Sequence, residues 1–137
     1  MIKKLTLNNL VAHLKEYIDL HWLAVTQLAD QIIKYDFHIN EQAILAGHLN
    51  LIHCNRIQVI GNIEWNYINK LKKNSRKDTV EQIFSRHTAA IVFSDAINIP
   101  KDFIDLANEY QTPLLSSDLP SGELIDSIRY YLSSLLA

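Results

Sequence analysis

The stretch Gly47-His48-Leu49-Asn50-Leu51-Ile52-His53-Cys54-Asn55-Arg56-Ile57-Gln58-Val59-Ile60-Gly61-Asn62-Ile63-Glu64 decides how the rest of the chain is read. Its second half predicts a strand over Arg56 to Ile60, with Ile57 to Ile60 buried. Gly61 relieves steric crowding at the turn that follows, and Asn62 is the expected cap of a helix. Glu64 sits in the first turn of that helix, where a negative charge complements the dipole. A strand that runs through a glycine turn into a helix is the start of an α/β unit.

Downstream, Ile63, Tyr67, Ile68 and Leu71 share roughly one helical face. Asp78-Thr79-Val80-Glu81 has the form of an acidic capping box opening a second helix, with Val80, Ile83 and Phe84 as its apolar side. Ala89 to Phe93 is a short continuous apolar run, the pattern of a strand covered on both faces. Pro100 suits the first turn of a helix in which Phe103, Ile104, Ala107 and Tyr110 recur at helical period. Pro113-Leu114-Leu115 predicts a strand with proline at its beginning, where a missing donor is tolerated. Ser121 is the expected cap of the last helix, striped by Leu124, Ile128, Leu132 and Leu135.

Upstream, Lys3 to Thr6 and Trp22 to Val25 are expected strands, and Leu7 to Ile18 has helical spacing at Leu10, Val11, Leu14 and Ile18. Gln27 to Gln42 is polar enough for a loop, and Ala43 to Ala46 for one helical turn. Strands alternating with helices imply crossover connections, so the expected fold is α/β, a parallel or mixed sheet covered by helices.

The chain of 137 residues is expected to form one domain, 1–137. Its 48% hydrophobic and 20% charged residues fit a packed globular protein rather than a disordered one. No apolar run approaches the roughly 20 residues that span a bilayer, and polar residues interrupt the basic N-terminus before any signal core. One cysteine, Cys54, excludes an internal disulfide and fits a reducing compartment, so a cytoplasmic protein is expected. A net charge of -2 argues against an obligate nucleic-acid binder, and neither nucleic acid nor membrane is an expected partner.

A phosphate-cradling loop needs clustered glycines followed by lysine and a hydroxyl. Gly47, Gly61 and Gly122 are far apart and none precedes a lysine, so no nucleotide-binding or catalytic residue is assigned. His48, His53 and Cys54 are chemically suited to zinc. In extended backbone His53 and Cys54 point to opposite faces, and no second cysteine completes a shell, so no metal ligand is assigned either. Trp22 and Trp65 suit packing rather than base stacking.

Two candidate sites remain. Ser94 and Asp95 follow the Ala89–Phe93 strand, at the carboxyl end where α/β folds bind ligands; the alternative is an ordinary polar turn. Lys70, Lys72, Lys73, Arg76 and Lys77 form a basic cluster placed near a helix C-terminus, which either complements the dipole or docks an acidic partner or phosphate.

The quoted stretch, Ile99-Pro100-Lys101-Asp102-Phe103-Ile104-Asp105-Leu106-Ala107 leading to Pro113-Leu114-Leu115, and the final Tyr131-Leu132-Ser133-Ser134-Leu135-Leu136-Ala137 occur in an order that resembles the N-terminal domain of bacterial HPr kinase/phosphorylase. The resemblance covers about residues 43 to 137, and its Gly-His-Leu-Asn-Leu-Ile-His portion is similar to the proteobacterial branch. It implies a fold like the N-terminal, uridine-nucleotide-binding domain of Mur ligases. It implies an intact protein with a C-terminal phosphate-loop kinase domain that is not present here. That domain uses ATP or pyrophosphate with magnesium to phosphorylate a serine of the phosphocarrier HPr, and also dephosphorylates it, in regulation of the phosphotransferase system and carbon metabolism. Partners implied are the chain's own kinase domain, HPr, and further copies in a homo-hexamer. No cofactor and no catalytic residue falls on this chain, so it is expected to be inactive alone, a regulatory or assembly domain. The alternatives are a small-ligand or nucleotide-binding module, or an interaction platform through Lys70–Lys77. Cys54 stands where many relatives have proline, implying a looser turn, and Gln111 where glycine is common, which tells against a tight helix C-cap.

Overall fold

Ile57–Ile60 is buried along its whole length because it lies inside a sheet with helices on both faces. The computed structural model describes residues 5–33, 46–50, 55–85 and 88–136. In chain order the elements are α1 (Leu7–Leu14), β1 (His21–Ala24), a 3-10 turn at Thr26–Leu28, β2 (Ala46–His48) and β3 (Ile57–Ile60). Then come α2 (Asn62–Lys70), α3 (Lys73–Ser85), β4 (Ala90–Phe93), α4 (Lys101–Tyr110), β5 (Leu114–Ser116) and α5 (Ser121–Leu136). The sheet order is β1-β5-β4-β3-β2, with β2 to β5 parallel and β1 antiparallel on the edge. The expected α/β architecture with a mixed sheet is what forms.

Alternation along the strands sorts the core into two layers. Ile57, Val59, Ala90, Val92 and Leu115 pack with α1 and α5, among Leu10, Leu14, Leu124, Ile128 and Leu132. Ile60, Ile91, Phe93 and Leu114 pack with α2, α3 and α4. There Trp65 meets Phe93 and Phe103 edge-on at 5.4 and 5.2 Å. The crossovers from β3 to β4 and from β4 to β5 use the same face, as right-handed connections advancing in one direction must. After β5 the chain crosses back to the face that α1 covers, and α5 returns across β2 and β3.

Several local expectations need correction. Ala46 opens β2 rather than closing a helical turn; residues 43–45 lie outside the described residues. Helix α1 stops at Leu14, short of Ile18, as the exposed Lys15, Glu16 and Tyr17 offer it nothing to bury. Of the strand expected at Lys3 to Thr6, only Leu5 and Thr6 are described. Thr6 makes an isolated antiparallel bridge to Ile32 and caps α1 by accepting from the Asn9 N–H. Val25 leaves the strand in the left-handed region at φ 61°. Helix α3 begins at Lys73, so Asp78–Glu81 is helix interior, continuous with a Lys-Lys-Asn-Ser-Arg-Lys run that contains no breaker. In α2, Ile63 is 83% and Tyr67 63% exposed; the helix is held by Trp65 and Ile68 instead. Gln111 forms a tight C-cap after all, at φ 55°, its N–H donating to the Ala107 and Asn108 carbonyls.

Candidate functional site

In an α/β sheet the place to look is the carboxyl end of parallel strands, where successive helices leave on opposite faces. Here that place lies between β4 and β5: α4 leaves on one face and α5 on the other. Ser94 and Asp95 stand there, as expected, but their polar atoms are turned inward. Ser94 is 0% exposed, and its hydroxyl lies 3.2 Å from both the Ile60 carbonyl and Asp95 Oδ2. Asp95 Oδ2 accepts the Asn62 N–H at 2.9 Å, so it serves as the side-chain acceptor at the start of α2. The Gly61 N–H in turn donates to Glu64 Oε1 at 2.9 Å. Asn62, expected to cap this helix, is its first residue and is itself capped from β4.

The loops after β4 and β5 are laced together by main-chain bonds. Asp95 N–H donates to the Leu119 carbonyl at 2.7 Å, and Ala96 N–H to the Ser117 carbonyl at 3.3 Å. Asp95 and Ala96 both have positive φ, 59° and 56°, so this lacing holds two non-glycine residues in the left-handed region. Gly61 closes the other side. A Cβ there would lie 2.9 Å from Ser121 Cβ and Oγ and 3.0 Å from Asp95 Oδ2, so only glycine fits between the loops. Gly47 lies in β2 and Gly122 in α5, so the glycines do not share a loop in space either.

Around this core sits a polar ring that residue spacing did not reveal. His48 Nε2 and Ser121 Oγ are hydrogen-bonded at 3.1 Å, which ties the edge strand β2 to the start of α5. Ser121 is thus the first helical residue, with its hydroxyl turned to His48. Arg129 Nε reinforces the attachment by donating to the Ala46 carbonyl at 2.9 Å. Asp19 accepts the Asp118 N–H at 2.9 Å and the Ser117 hydroxyl at 3.3 Å. The Asp118 amide chiefly, helped by Ser117 and the nearby His21, holds the Asp19 carboxyl below its ordinary value.

The basic cluster is divided. Lys70 ends α2, Lys72 lies in the connection, and Lys73, Arg76 and Lys77 lie in the opening turns of α3. Apart from Lys70, these cations stand at a helix N-terminus rather than the expected C-terminus, where the dipole is unfavourable to them. Arg76 is engaged: its guanidinium is 3.5 Å from Asp102 Oδ2 and 5.9 Å from the Phe103 ring centroid. A groove of about 460 Å³ between α3 and α4 sets Lys73, Arg76 and Lys77 opposite Asp102 and Asp105. His53 and Cys54 lie outside the described residues, and among the described residues no three or more His, Cys, Asp or Glu side chains gather to hold a metal.

A family profile described as "HPr Serine kinase N terminus" matches residues 5–132. The chain belongs to this family. Among its relatives, the HPr kinase/phosphorylase of Chromobacterium violaceum is 33% identical over 133 residues, 97% of this chain and 42% of the relative. That of Bordetella pertussis is 36% identical over the same shares. That of Ralstonia pickettii is 35% identical over 122 residues, 88% of this chain and 38% of the relative. The chain spans about two-fifths of the length of the curated relatives it matches. No helix among the described residues is long and apolar enough to cross a membrane.

Proposed function

We propose that residues 1–137 act as the non-catalytic N-terminal domain of an HPr kinase/phosphorylase, with a regulatory or assembly role. In this reading the remainder of the protein binds ATP or pyrophosphate with magnesium, and phosphorylates and dephosphorylates a serine of HPr. Copies of that remainder build the homo-hexamer. The carrying observation is the match itself, which spans 97% of this chain but only 42% of a relative named HPr kinase/phosphorylase. The strand-end lacing supports it, because the crevice of an α/β sheet is here filled by Ser94, Asp95 and the Ser117–Leu119 backbone. The test is incubation of the 137-residue chain with HPr, ATP and magnesium. No phosphoserine is expected from it, whereas the full-length protein phosphorylates HPr. Turnover by the 137 residues alone overturns the reading.

A second reading is favoured by the placement of Lys72, Lys73 and Lys77 at the start of α3, where the helix dipole gives cations no support. This surface docks an acidic partner. Replacing those lysines with glutamine should weaken capture of that partner and flatten its salt dependence; unchanged capture counts against it.

A further inference from the structure

Helices α1 and α5 lie together on the outer face of the sheet, and their inner stripes are already buried: Leu10, Val11 and Leu14 against Leu124, Ile128 and Leu132. Beside that seam runs a groove of about 580 Å³, walled by His13, Leu14 and Tyr17 on one side and Asp126, Tyr130 and Tyr131 on the other. The His13 ring is 4.6 Å from that of Tyr131 and 5.6 Å from that of Tyr17, centroid to centroid, so three rings make the groove one continuous surface. Tyr17 and Tyr130 stand on its rim, 73% and 78% exposed. Ser127, Tyr130, Tyr131 and Ser134 recur at i, i+3, i+4 and i+7, so α5 offers a second stripe beside the one that faces the sheet. Tyrosines of this kind are the residue type that anchors interfaces, with a large ring to bury and a hydroxyl to satisfy.

The occupant follows from where the groove lies along the chain. The family profile ends at residue 132, inside α5, while the curated relatives run on for more than as much again. Tyr130, Tyr131 and Ser134 are in the last turns of α5, so a polypeptide continuing from that helix emerges at the groove's end. A tethered segment acts at a millimolar effective concentration, so a groove of this size can hold it without the area a free partner needs. Resting on the N-terminal-domain reading above, we infer that the α1–α5 groove seats the polypeptide that follows α5 in the full-length protein. Its apolar side chains cover Tyr17 and Tyr130, and an amide or cationic group meets the exposed Asp126.

The test is tyrosine nitration, mapped by mass spectrometry, on the full-length protein and on the 137-residue chain. With the groove filled about nine-tenths of the time, Tyr17 and Tyr130 should react about tenfold more slowly in the full-length protein. Tyr67, 63% exposed on α2, is the internal reference and should react equally in both. The double variant Tyr17→Ser/Tyr130→Ser should quicken proteolytic cleavage just after α5 in the full-length protein, without altering thermal unfolding of the 137-residue chain. Equal nitration of Tyr17 and Tyr130 in the two proteins overturns the inference. So does protection in the 137-residue chain that grows with its concentration, which assigns the groove to a second copy. A reading frame that ends at Ala137 also overturns it. Kinase activity is read separately: a full-length protein that shields these tyrosines but leaves HPr untouched refutes the functional reading and keeps the groove.

Discussion

Replacing Asp95 with alanine removes a carboxylate that joins the loop after β4 to the start of α2. The Asn62 N–H loses its acceptor at 2.9 Å, and the buried Ser94 hydroxyl loses one of two acceptors at 3.2 Å. Loss of a helix-cap acceptor costs about 0.5–2 kcal/mol, and hydrogen bonds to a charged group stand near the upper end of that range. Alanine also tolerates the left-handed backbone at φ 59° less well than aspartate, which adds a few tenths of a kcal/mol. The sum is about 2 kcal/mol, a fall of roughly 5–8 °C in Tm for a domain of this size. Asp95→Asn keeps an acceptor and the left-handed tolerance, so its loss should be about 1 kcal/mol or less. Urea titrations at pH 7 with a shared m-value measure both. If Asp95→Ala stays within about 0.5 kcal/mol of the parent, Asp95 does not hold these strand ends together, and the Ser94–Asp95 turn is free to serve a ligand instead.

Three further experiments test the same architecture. Ala96→Gly, at an exposed residue with φ 56°, should stabilise the chain by about 0.5–1 kcal/mol in the same titration; destabilisation would mean that the backbone there is not left-handed. Gly61→Ala should destabilise by about 1–3 kcal/mol, because its Cβ meets Ser121 Cβ at 2.9 Å, and Ser121→Gly in the same chain should restore most of the loss. Independent, additive effects at those two positions would rule out the contact. Asp19 has a folded-state pKa lowered from 3.8, so its contribution is present above that value and vanishes as pH falls through the lowered one. Asp19→Asn should therefore be less stable than the parent at pH 7, and the gap should close as the pH falls through the lowered pKa of Asp19. A gap that widens towards acid contradicts the assignment.

The elements legible in the sequence are those whose pattern has one explanation. Ile57–Ile60 and Ala90–Phe93 are apolar because both faces are covered, and α4 and α5 show a helical period that no strand could use. β2 escaped because three residues, alanine, glycine and histidine, have no period and become a strand only by pairing with Ile57, Gln58 and Val59. The start of α3 escaped because an Asp-Thr-Val-Glu box has the same composition at a cap as within a helix, and nothing local distinguishes the two. Ile63 and Tyr67 have helical spacing with Ile68, yet the side that α2 buries is chosen by Trp65 against Phe93 and Phe103, residues from two other elements. Ser94 and Asp95 were legible as strand-end residues. Their bonds to Ile60 and Asn62, more than thirty residues earlier, were not. His48 with Ser121, a contact across 73 positions, and Asp19 with Asp118, across 99, are further apart still.

The order of the strands decides where a crevice could open at the ends of this sheet. β2 to β5 follow one another across the sheet without reversal, so the helices between them share a face and leave no gap at β3. Between β4 and β5 the helices part to opposite faces, and it is this junction that the Asp95–Leu119 and Ala96–Ser117 bonds cross. Two non-glycine residues are held in left-handed backbone to make them, so closing the junction is built in at the expense of local strain. Closure also fixes where α5 begins, since Gly61, Asp95 and Ser121 meet there. Helix α5 then runs for 16 residues across β2 and β3, and its far end carries the exposed Tyr130 beside the half-buried Tyr131. A strand-end crevice locked shut at one end of α5 and an open aromatic stripe at the other suit a domain that holds a neighbouring part of the protein more than one that captures a small molecule.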